Sequence, residues 1–161
     1  MTMYFNTAIG YEETVSQVTA TNSVRLGDRR WHDGEEYVYC YNAGGATLTT
    51  GLGVTPATAA SGYSVAGTST TEVFNPCVGV VKQTEIPTSE YGWIMTKGYH
   101  TIAMVSATTG DKVPIALGAS GKFIEAAGGT GSVGTGAVVG VAFNANTGAA
   151  GAVYARIGRD F

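Results

Sequence analysis

Residues 78–98 read VGVVKQTEIPTSEYGWIMTKG, and residues 139–158, VGVAFNANTGAAGAVYARIG, repeat the same plan. Each stretch opens with Val-Gly-Val, crosses a polar turn and returns through a second strand-like run to another glycine. Two such runs around a polar turn are typical of a β-hairpin. A glycine inside a strand marks the close approach of another backbone, so we expect Gly79 and Gly140 to be tight packing points.

A further strand is indicated upstream of both hairpins. The run GEEYVYCYN alternates tyrosines on one face with Val38 and Cys40 on the other, and the sequence NAGG after it is typical of a turn. Residues 46–54, ATLTTGLGV, are a second predicted strand. Residues 55–71, rich in Thr, Ser, Ala and Gly, are interpreted as an exposed loop.

The segments between the two hairpins also have strand character. Residues 99–107, YHTIAMVSA, predict one strand, and residues 112–128 are expected to fold back on themselves about the sequence GASG. Short strands at this spacing, without a long helical period, predict an all-β protein: a small β-barrel or sandwich of short antiparallel strands. We assign residues 25–161 to this domain.

Residues 1–24 differ from the rest because they lack a clean period of 2 or 3.6. We predict that they form an extended N-terminal arm. Aromatic and aliphatic side chains are concentrated near its start, at Met3, Tyr4, Phe5, Ile9 and Tyr11.

Residues 129–134, GTGSVG, match the spacing of a dinucleotide-binding turn. That turn requires a helix immediately after it and an acidic residue about 20 residues later. Here glycines and β-branched residues follow, and no Asp or Glu occurs between Glu125 and Asp160. The stretch is therefore interpreted as a flexible hairpin connection, and we expect no cofactor.

Charge and cysteine content exclude several partners. The formal net charge is −3 and the nine Lys and Arg residues are dispersed, which argues against nucleic acid. No apolar run is long enough for a bilayer, and the N-terminus does not resemble a signal peptide, so we expect no membrane association and synthesis in a cytoplasm. Cys40 and Cys77 are expected to be small, buried free thiols without a metal.

No catalytic constellation is evident in the sequence. His32 and His100 cannot be paired from the pattern and are expected to be structural. The carboxylates Asp33, Glu35 and Glu36 crowd one turn, where we expect them to keep a loop solvated; the alternative is a cell-wall hydrolase that uses Glu35 or Glu36. We expect no small-molecule substrate.

The chain resembles small virion proteins of tailed bacteriophages, most of all capsid decoration (cement) proteins. The resemblance is carried by the stretches LGDRRWHDGEEYVYCYNAGGA and VGVVKQTEIPTSEYGWIMTKG and by the glycine-containing predicted strands nearer the C-terminus. The resemblance covers residues 25–156. It implies a non-enzymatic protein that binds the outer surface of an icosahedral head and stabilises contacts between major capsid subunits. It also implies synthesis in the host cytoplasm, location on the capsid surface and a homo-oligomer, with a trimer favoured.

Under this resemblance the arm residues Met3, Tyr4, Phe5, Ile9 and Tyr11 are candidate contacts with the major capsid protein. The alternative within the virion is a tail or head-fibre component that binds a receptor glycan. Tyr63, Trp93 and Tyr99 are the candidates for stacking on sugar rings in that case, although each is equally suited to a core.

Overall fold

The described part of the chain is almost entirely β-strand. The computed structural model describes residues 24–58, 61–67, 77–105, 112–126, 138–144 and 151–158. Their strands are β1 (Arg29–His32), β2 (Glu35–Asn42), β3 (Leu48–Thr49), β4 (Gly53–Thr58), β5 (Ser61–Gly67), β6 (Gly79–Val81), β7 (Glu85–Ile86), β8 (Tyr91–Ala103), β9 (Val113–Leu117), β10 (Phe123–Glu125), β11 (Gly140–Ala142) and β12 (Ala152–Ile157). The predicted all-β class is confirmed.

Five strands close into a barrel in the order β2-β5-β4-β6-β8, because β8 also pairs with β2. All pairs are antiparallel except β2 with β5, which runs parallel and joins Tyr41 to Ser64. Closure removes the unpaired edges that an open sheet would expose. The barrel interior is small and filled mainly by β-branched residues: Val38, Cys40, Leu48, Val54, Val65, Val81, Ile86 and Ile94.

Strands β9 to β12 extend the barrel into a second sheet, whereas β1 pairs with β2, and β3 and β7 form a separate two-stranded sheet. The second half of β8 pairs with β12, and β11, β9 and β10 follow in that order. A larger core lies between the outer face of the barrel and the inner face of this sheet. Its buried members are Tyr37, Tyr39, Val80, Trp93, Met95, Ile102, Met104, Ile115, Leu117, Phe123, Val139, Ala142, Val153, Ala155 and Ile157.

Strand β8 belongs to both layers, and the set of its residues that faces the larger core changes from odd-numbered to even-numbered at Gly98. Before this residue odd positions such as Trp93 and Met95 enter the larger core, whereas Ile102, an even position, does so after it. Gly98 has φ +144°, and an added Cβ there would lie 2.7 Å from Cγ of Glu35. A glycine is required at this position because other residues rarely adopt that backbone conformation.

Both Val-Gly-Val hairpins form as predicted. Strand β6 pairs with β8, and β11 pairs with β12, each antiparallel. A Cβ added at Gly79 would lie 2.3 Å from the carbonyl oxygen of Met95, and one added at Gly140 would lie 2.2 Å from that of Arg156. The expectation of close backbone approach at both glycines is confirmed.

The prediction of an exposed loop over residues 55–71 is wrong for its described part. Strands β4 and β5 form a barrel hairpin there, and Val65 is fully buried. Leu48, Ile86 and Ile94 from other segments fill much of the barrel interior, so a segment that contributes Val65 can still be core. The single strand predicted over residues 46–54 is also wrong, because a bend at Gly51, with φ +79°, separates β3 from β4.

The polar turns adopt the conformations that their sequences indicate. Asp33 and Gly34 both have positive φ in the tight turn between β1 and β2, as a two-residue hairpin turn requires. After β2, the buried Asn42 donates from Nδ2 to the carbonyl oxygens of Ala46 and Ile86 and accepts from the Gly44 amide. The NAGG turn is therefore held by one side chain.

The strand-turn-strand prediction for residues 112–128 is confirmed, since β9 and β10 pair across a 3₁₀ turn at Ala119–Gly121. The glycine-rich stretch 129–134 lies outside the described residues. So does the arm, apart from Val24, which packs partly buried against the larger core.

Candidate functional site

The five candidate contact residues of the arm, Met3, Tyr4, Phe5, Ile9 and Tyr11, lie outside the described residues. The surface of the described part instead presents a cluster of large apolar side chains on the second sheet. Tyr99, Phe143 and Tyr154 are 44%, 36% and 49% exposed. We call these three residues the aromatic face.

The three rings of the aromatic face are in contact. The rings of Tyr99 and Tyr154 are nearly parallel, with centroids 5.8 Å apart and planes 14° apart. The Phe143 ring lies 5.9 Å from Tyr99 at 32°. Offset aromatic pairs at these distances stabilise one another, so the three rings form a continuous apolar surface.

Strand pairing positions the rings. Tyr154 is opposite Thr101 and Arg156 is opposite Tyr99, which makes the two tyrosines diagonal neighbours on β12 and β8. The Phe143 amide donates to the Tyr154 carbonyl oxygen at 2.8 Å, and the Tyr154 amide donates to Oδ1 of Asn144 at 2.7 Å. The surface therefore rests on paired backbone and is fixed before any partner arrives.

The surroundings of the aromatic face suit adhesion to a protein or a flat apolar ligand. On β12 the outward residues are Ala152, Tyr154 and Arg156, so one cationic side chain borders the rings. Exposed clusters of aromatic residues on a rigid support frequently supply the dominant contacts of an interface, and arginine is enriched beside them.

Sequence reasoning named Tyr99 but missed Phe143 and Tyr154. The signal for Tyr154 is the alternation AVYARI, in which Val153, Ala155 and Ile157 are buried and the residues between them face outward. The missing information was the register of the hairpin, which brings residue 143 beside residue 154. Period-2 patterning gives the face of a residue but not its neighbour on the next strand.

The other sugar-stacking candidates differ in their exposure. Trp93 is 1% exposed, packs against Tyr39 and is covered by the Arg30 guanidinium at 4.8 Å, so it is a core residue. Tyr63 is 39% exposed and lies against the backbone of Gly27. It does not belong to the aromatic face.

A polar cluster joins β2 to the connection between β6 and β7. The Tyr37 hydroxyl and the Lys82 ammonium both donate to Oε2 of Glu35, whose side chain is only 13% exposed. Glu36 accepts instead from Arg29. The expectation that these glutamates keep a loop solvated is wrong, because both lie in β2 and bond to other side chains. Asp33 does agree with that expectation, since its side chain is 81% exposed.

His100 joins this cluster through a hydroxyl. Thr50 Oγ1 donates to the Lys82 carbonyl oxygen at 3.2 Å and lies 3.1 Å from His100 Nε2. Because the single hydroxyl proton serves the first bond, His100 donates the proton of the second. Burial lowers the pKa of His100, the Lys82 charge lowers it further, and Glu35 opposes both.

His100 and Thr50 also line a cleft of about 510 Å³, together with Gly51 and Lys122. In the described part of the chain His100 bonds to a hydroxyl and not to a carboxylate. Through Thr50 this arrangement links His100 to the β6–β7 connection. It lacks the third, orienting group of a nucleophile–base–acid arrangement.

Neither Cys40 nor Cys77 forms a disulfide; Cys40 is buried as expected, whereas the expectation of burial is wrong for Cys77. Burial raises the pKa of the Cys40 thiol to about 12, whereas Cys77 is partly exposed. Within the described ranges no group of three His, Cys, Asp or Glu residues is arranged to hold a metal ion. Nor do those ranges contain a helix of the length and apolarity that crossing a membrane requires.

Comparison of the chain with protein-family models, with curated proteins and with solved structures gives no match.

Proposed function

We propose that this protein is a non-enzymatic structural component of a bacteriophage virion. In this proposal it binds the outer surface of an icosahedral head as a decoration protein and stabilises the contacts between major capsid subunits. The observation that carries the proposal is the aromatic face: three exposed rings on the second sheet, in which Tyr99 packs against both Phe143 and Tyr154. The sequence resemblance supplies the capsid context.

The energetics of the aromatic face favour a protein partner. Burying a large apolar side chain completely contributes about 1.5–3 kcal/mol. Half-exposed rings have roughly half of that still to gain, and three of them together supply a few kcal/mol per copy. A homo-oligomer, with a trimer favoured, multiplies this modest contribution because its copies engage neighbouring capsid subunits simultaneously.

The composition of the chain is consistent with a largely covered surface. Charged residues make up 13% of the sequence, about half of the usual quarter. Interface centres are depleted in Lys, Glu and Asp. The arm adds further contacts under this proposal, with Tyr4, Phe5 and Ile9 anchoring it to a neighbouring subunit after the domain has bound.

Co-sedimentation with purified heads tests the proposal. The double variant Tyr99→Ser, Tyr154→Ser removes two of the three rings, and we expect at least a tenfold loss in the copies bound per head at limiting protein. The control variant is Trp31→Ser, which removes an aromatic side chain that is 58% exposed on β1, lies against Lys97 and is not part of the aromatic face. Circular dichroism confirms that each variant is folded before binding is measured.

Head stability provides the second measurement. Saturation with the wild-type protein should raise the temperature or the chelator concentration at which heads release their DNA, and the double variant should not. Wild-type protein that fails to sediment with heads at micromolar concentration would refute the proposal. Binding that is equal in the wild type and the double variant would remove the aromatic face from it.

A second candidate is a tail or head-fibre component that binds a receptor glycan. The stacked, exposed Tyr99 and Tyr154 favour it, since sugar rings pack on flat aromatic surfaces. Immobilised protein would then retain host cells or their surface glycans, and soluble sugar would release them. Retention without any binding to heads would select this function over decoration.

A further inference from the structure

The aromatic face leaves open what covers it in the free protein. Its rings remain between 36% and 49% exposed after every contact made by the described residues. Clusters of this kind on soluble proteins are usually occupied by a partner or by another segment of the same chain, because they otherwise promote aggregation.

The arm is the segment outside the described residues whose composition matches the face. Its first eleven residues include Met3, Tyr4, Phe5, Ile9 and Tyr11. Residues 127–137 and 145–150, which adjoin the face along the chain, consist of Gly, Ala, Ser, Thr and Asn with a single valine. Residues 68–76 contain Val73 and Phe74 and residues 159–161 contain Phe161, so the arm carries the largest group of aromatic and aliphatic side chains outside the described residues.

The charges of the arm and of the face are complementary. Arg156 is the cationic residue beside the rings on β12. The side-chain charges of residues 1–23 are Glu12 and Glu13, directly after the apolar group. If the apolar residues of the arm lie on the rings, Glu12 and Glu13 are close enough to pair with the Arg156 guanidinium. Opposite charges at the rim of a contact favour this orientation.

The arm is also long enough. Thirteen peptide units separate Tyr11 from Val24, and an extended chain covers about 3.3 Å per residue, or roughly 43 Å. A folded body of about 140 residues has a radius of gyration near 14 Å. The apolar residues of the arm can thus reach most of the surface of the domain to which they are joined.

We propose that residues 3–11 of the arm dock on the aromatic face of their own copy in the free protein. Covalent linkage over this length gives the arm an effective concentration of the order of millimolar at its own domain. Capture by another copy at micromolar concentration competes poorly with that value.

This contact would regulate the site proposed for attachment, and that part of the inference rests on the proposed function. The major capsid protein competes with the arm for the aromatic face, and binding to a head releases the arm for its own contacts. Free protein is then protected from self-association, and the full set of contacts forms only on the capsid.

Photo-crosslinking in the full chain tests the contact directly and without heads. A photoreactive p-benzoylphenylalanine replaces Phe5, and in a second variant Ala8, so that the result does not depend on one substitution. After irradiation, tryptic peptides 98–112 and 123–156, which carry the three rings, are expected to hold the crosslink. Mixing ¹⁴N- and ¹⁵N-labelled protein distinguishes crosslinks within a copy from those between copies.

Adding Tyr99→Ser and Tyr154→Ser should lower the crosslink yield about tenfold, whereas Trp31→Ser should leave it unchanged. Crosslinks to peptides of the barrel, mixed-isotope products, or an unchanged yield in the double variant would each overturn the inference. Failure here with intact binding to heads would leave the proposed function standing. Crosslinking within a copy without binding to heads would refute only the function.

Discussion

Replacing Gly79 by alanine should destabilise the protein more than its single added methyl group suggests. The new Cβ would lie 2.3 Å from the carbonyl oxygen of Met95, and real Cβ atoms essentially never approach within 3.0 Å. The backbones of β6 and β8 must separate by the difference, 0.7 Å. That movement strains the pairing of Val80 with Met95 and of Val81 with Ile94, which closes the barrel.

The expected loss is about 3 kcal/mol of unfolding free energy, the sum of about 2 kcal/mol for overpacking and about 1 kcal/mol for a weakened ladder hydrogen bond. For a chain of this length it corresponds to a decrease of roughly 6–12 °C in melting temperature. Urea unfolding followed by the fluorescence of the buried Trp93 measures it. Gly140→Ala should cost a similar amount, because its Cβ would lie 2.2 Å from the Arg156 carbonyl oxygen.

Gly67→Ala is the matched control. Gly67 is also a strand glycine, but a Cβ there would lie 3.6 Å from Cδ2 of Leu48, an ordinary van der Waals contact. We expect a change of less than about 1 kcal/mol, in the stabilising direction, because alanine restricts the unfolded chain. Equal unfolding midpoints for Gly79→Ala and Gly67→Ala would refute the assignment of Gly79 as a point of backbone contact.

Three further predictions follow from the polar groups and thiols. Burial and Lys82 lower the pKa of His100, so near that pKa the unfolded chain binds a proton that the folded chain does not. The unfolding free energy should therefore decrease as the pH falls below about 6.5. Urea titrations at successive pH values measure this decrease, and His100→Gln should flatten it. Asn42→Ala should lower the unfolding free energy by about 2–3 kcal/mol in the same assay, since buried carbonyl oxygens lose their donor; a loss below 0.5 kcal/mol would contradict this role. At pH 8 a thiol reagent such as Ellman's reagent should modify Cys77 alone in the folded protein and both cysteines in denaturant. The reason is that burial raises the pKa of Cys40 to about 12. Two fast-reacting thiols in the native state would contradict the burial of Cys40.

The strands and hairpins were predictable where the sequence carries strong local signals. Tyr39 and Val38 alternate between two apolar environments, and Gly79 and Gly140 mark close backbone contacts, because these features depend on period-2 geometry and on the absence of a side chain. The sequence Asp33-Gly34 specified its turn for the same reason: positive φ at both positions favours Asp and Gly strongly.

Strands β4 and β5 were not predictable in the same way. Their core residues are small, and the segment reads as a loop of Thr, Ser and Ala. It becomes core because closure of the barrel turns Val54 and Val65 inward and packs them against larger residues from other strands, such as Ile94. That constraint comes from tertiary closure, which no local pattern reports.

The aromatic face was only partly accessible from the sequence. Tyr99 could be selected as a candidate, but its contacts with Phe143 and Tyr154 depend on pairing between strands more than 40 residues apart in sequence. Trp93 was equally suited to a binding role and to a core from the sequence, and its place between two layers makes it core. The glutamates of the DG turn were misjudged because Lys82, the partner of Glu35, lies 47 positions away in sequence.

Electron cryomicroscopy of heads with and without saturating protein tests the central claim most directly. The claim is that this chain adheres to other protein subunits through the outer face of its second sheet. The predicted result is added density on the outside of the shell at symmetry-related positions, with the second sheet turned toward the capsid and Tyr99, Phe143 and Tyr154 in contact with it. A shell without added density, or a chain attached through the barrel with the aromatic face exposed to solvent, would contradict the account.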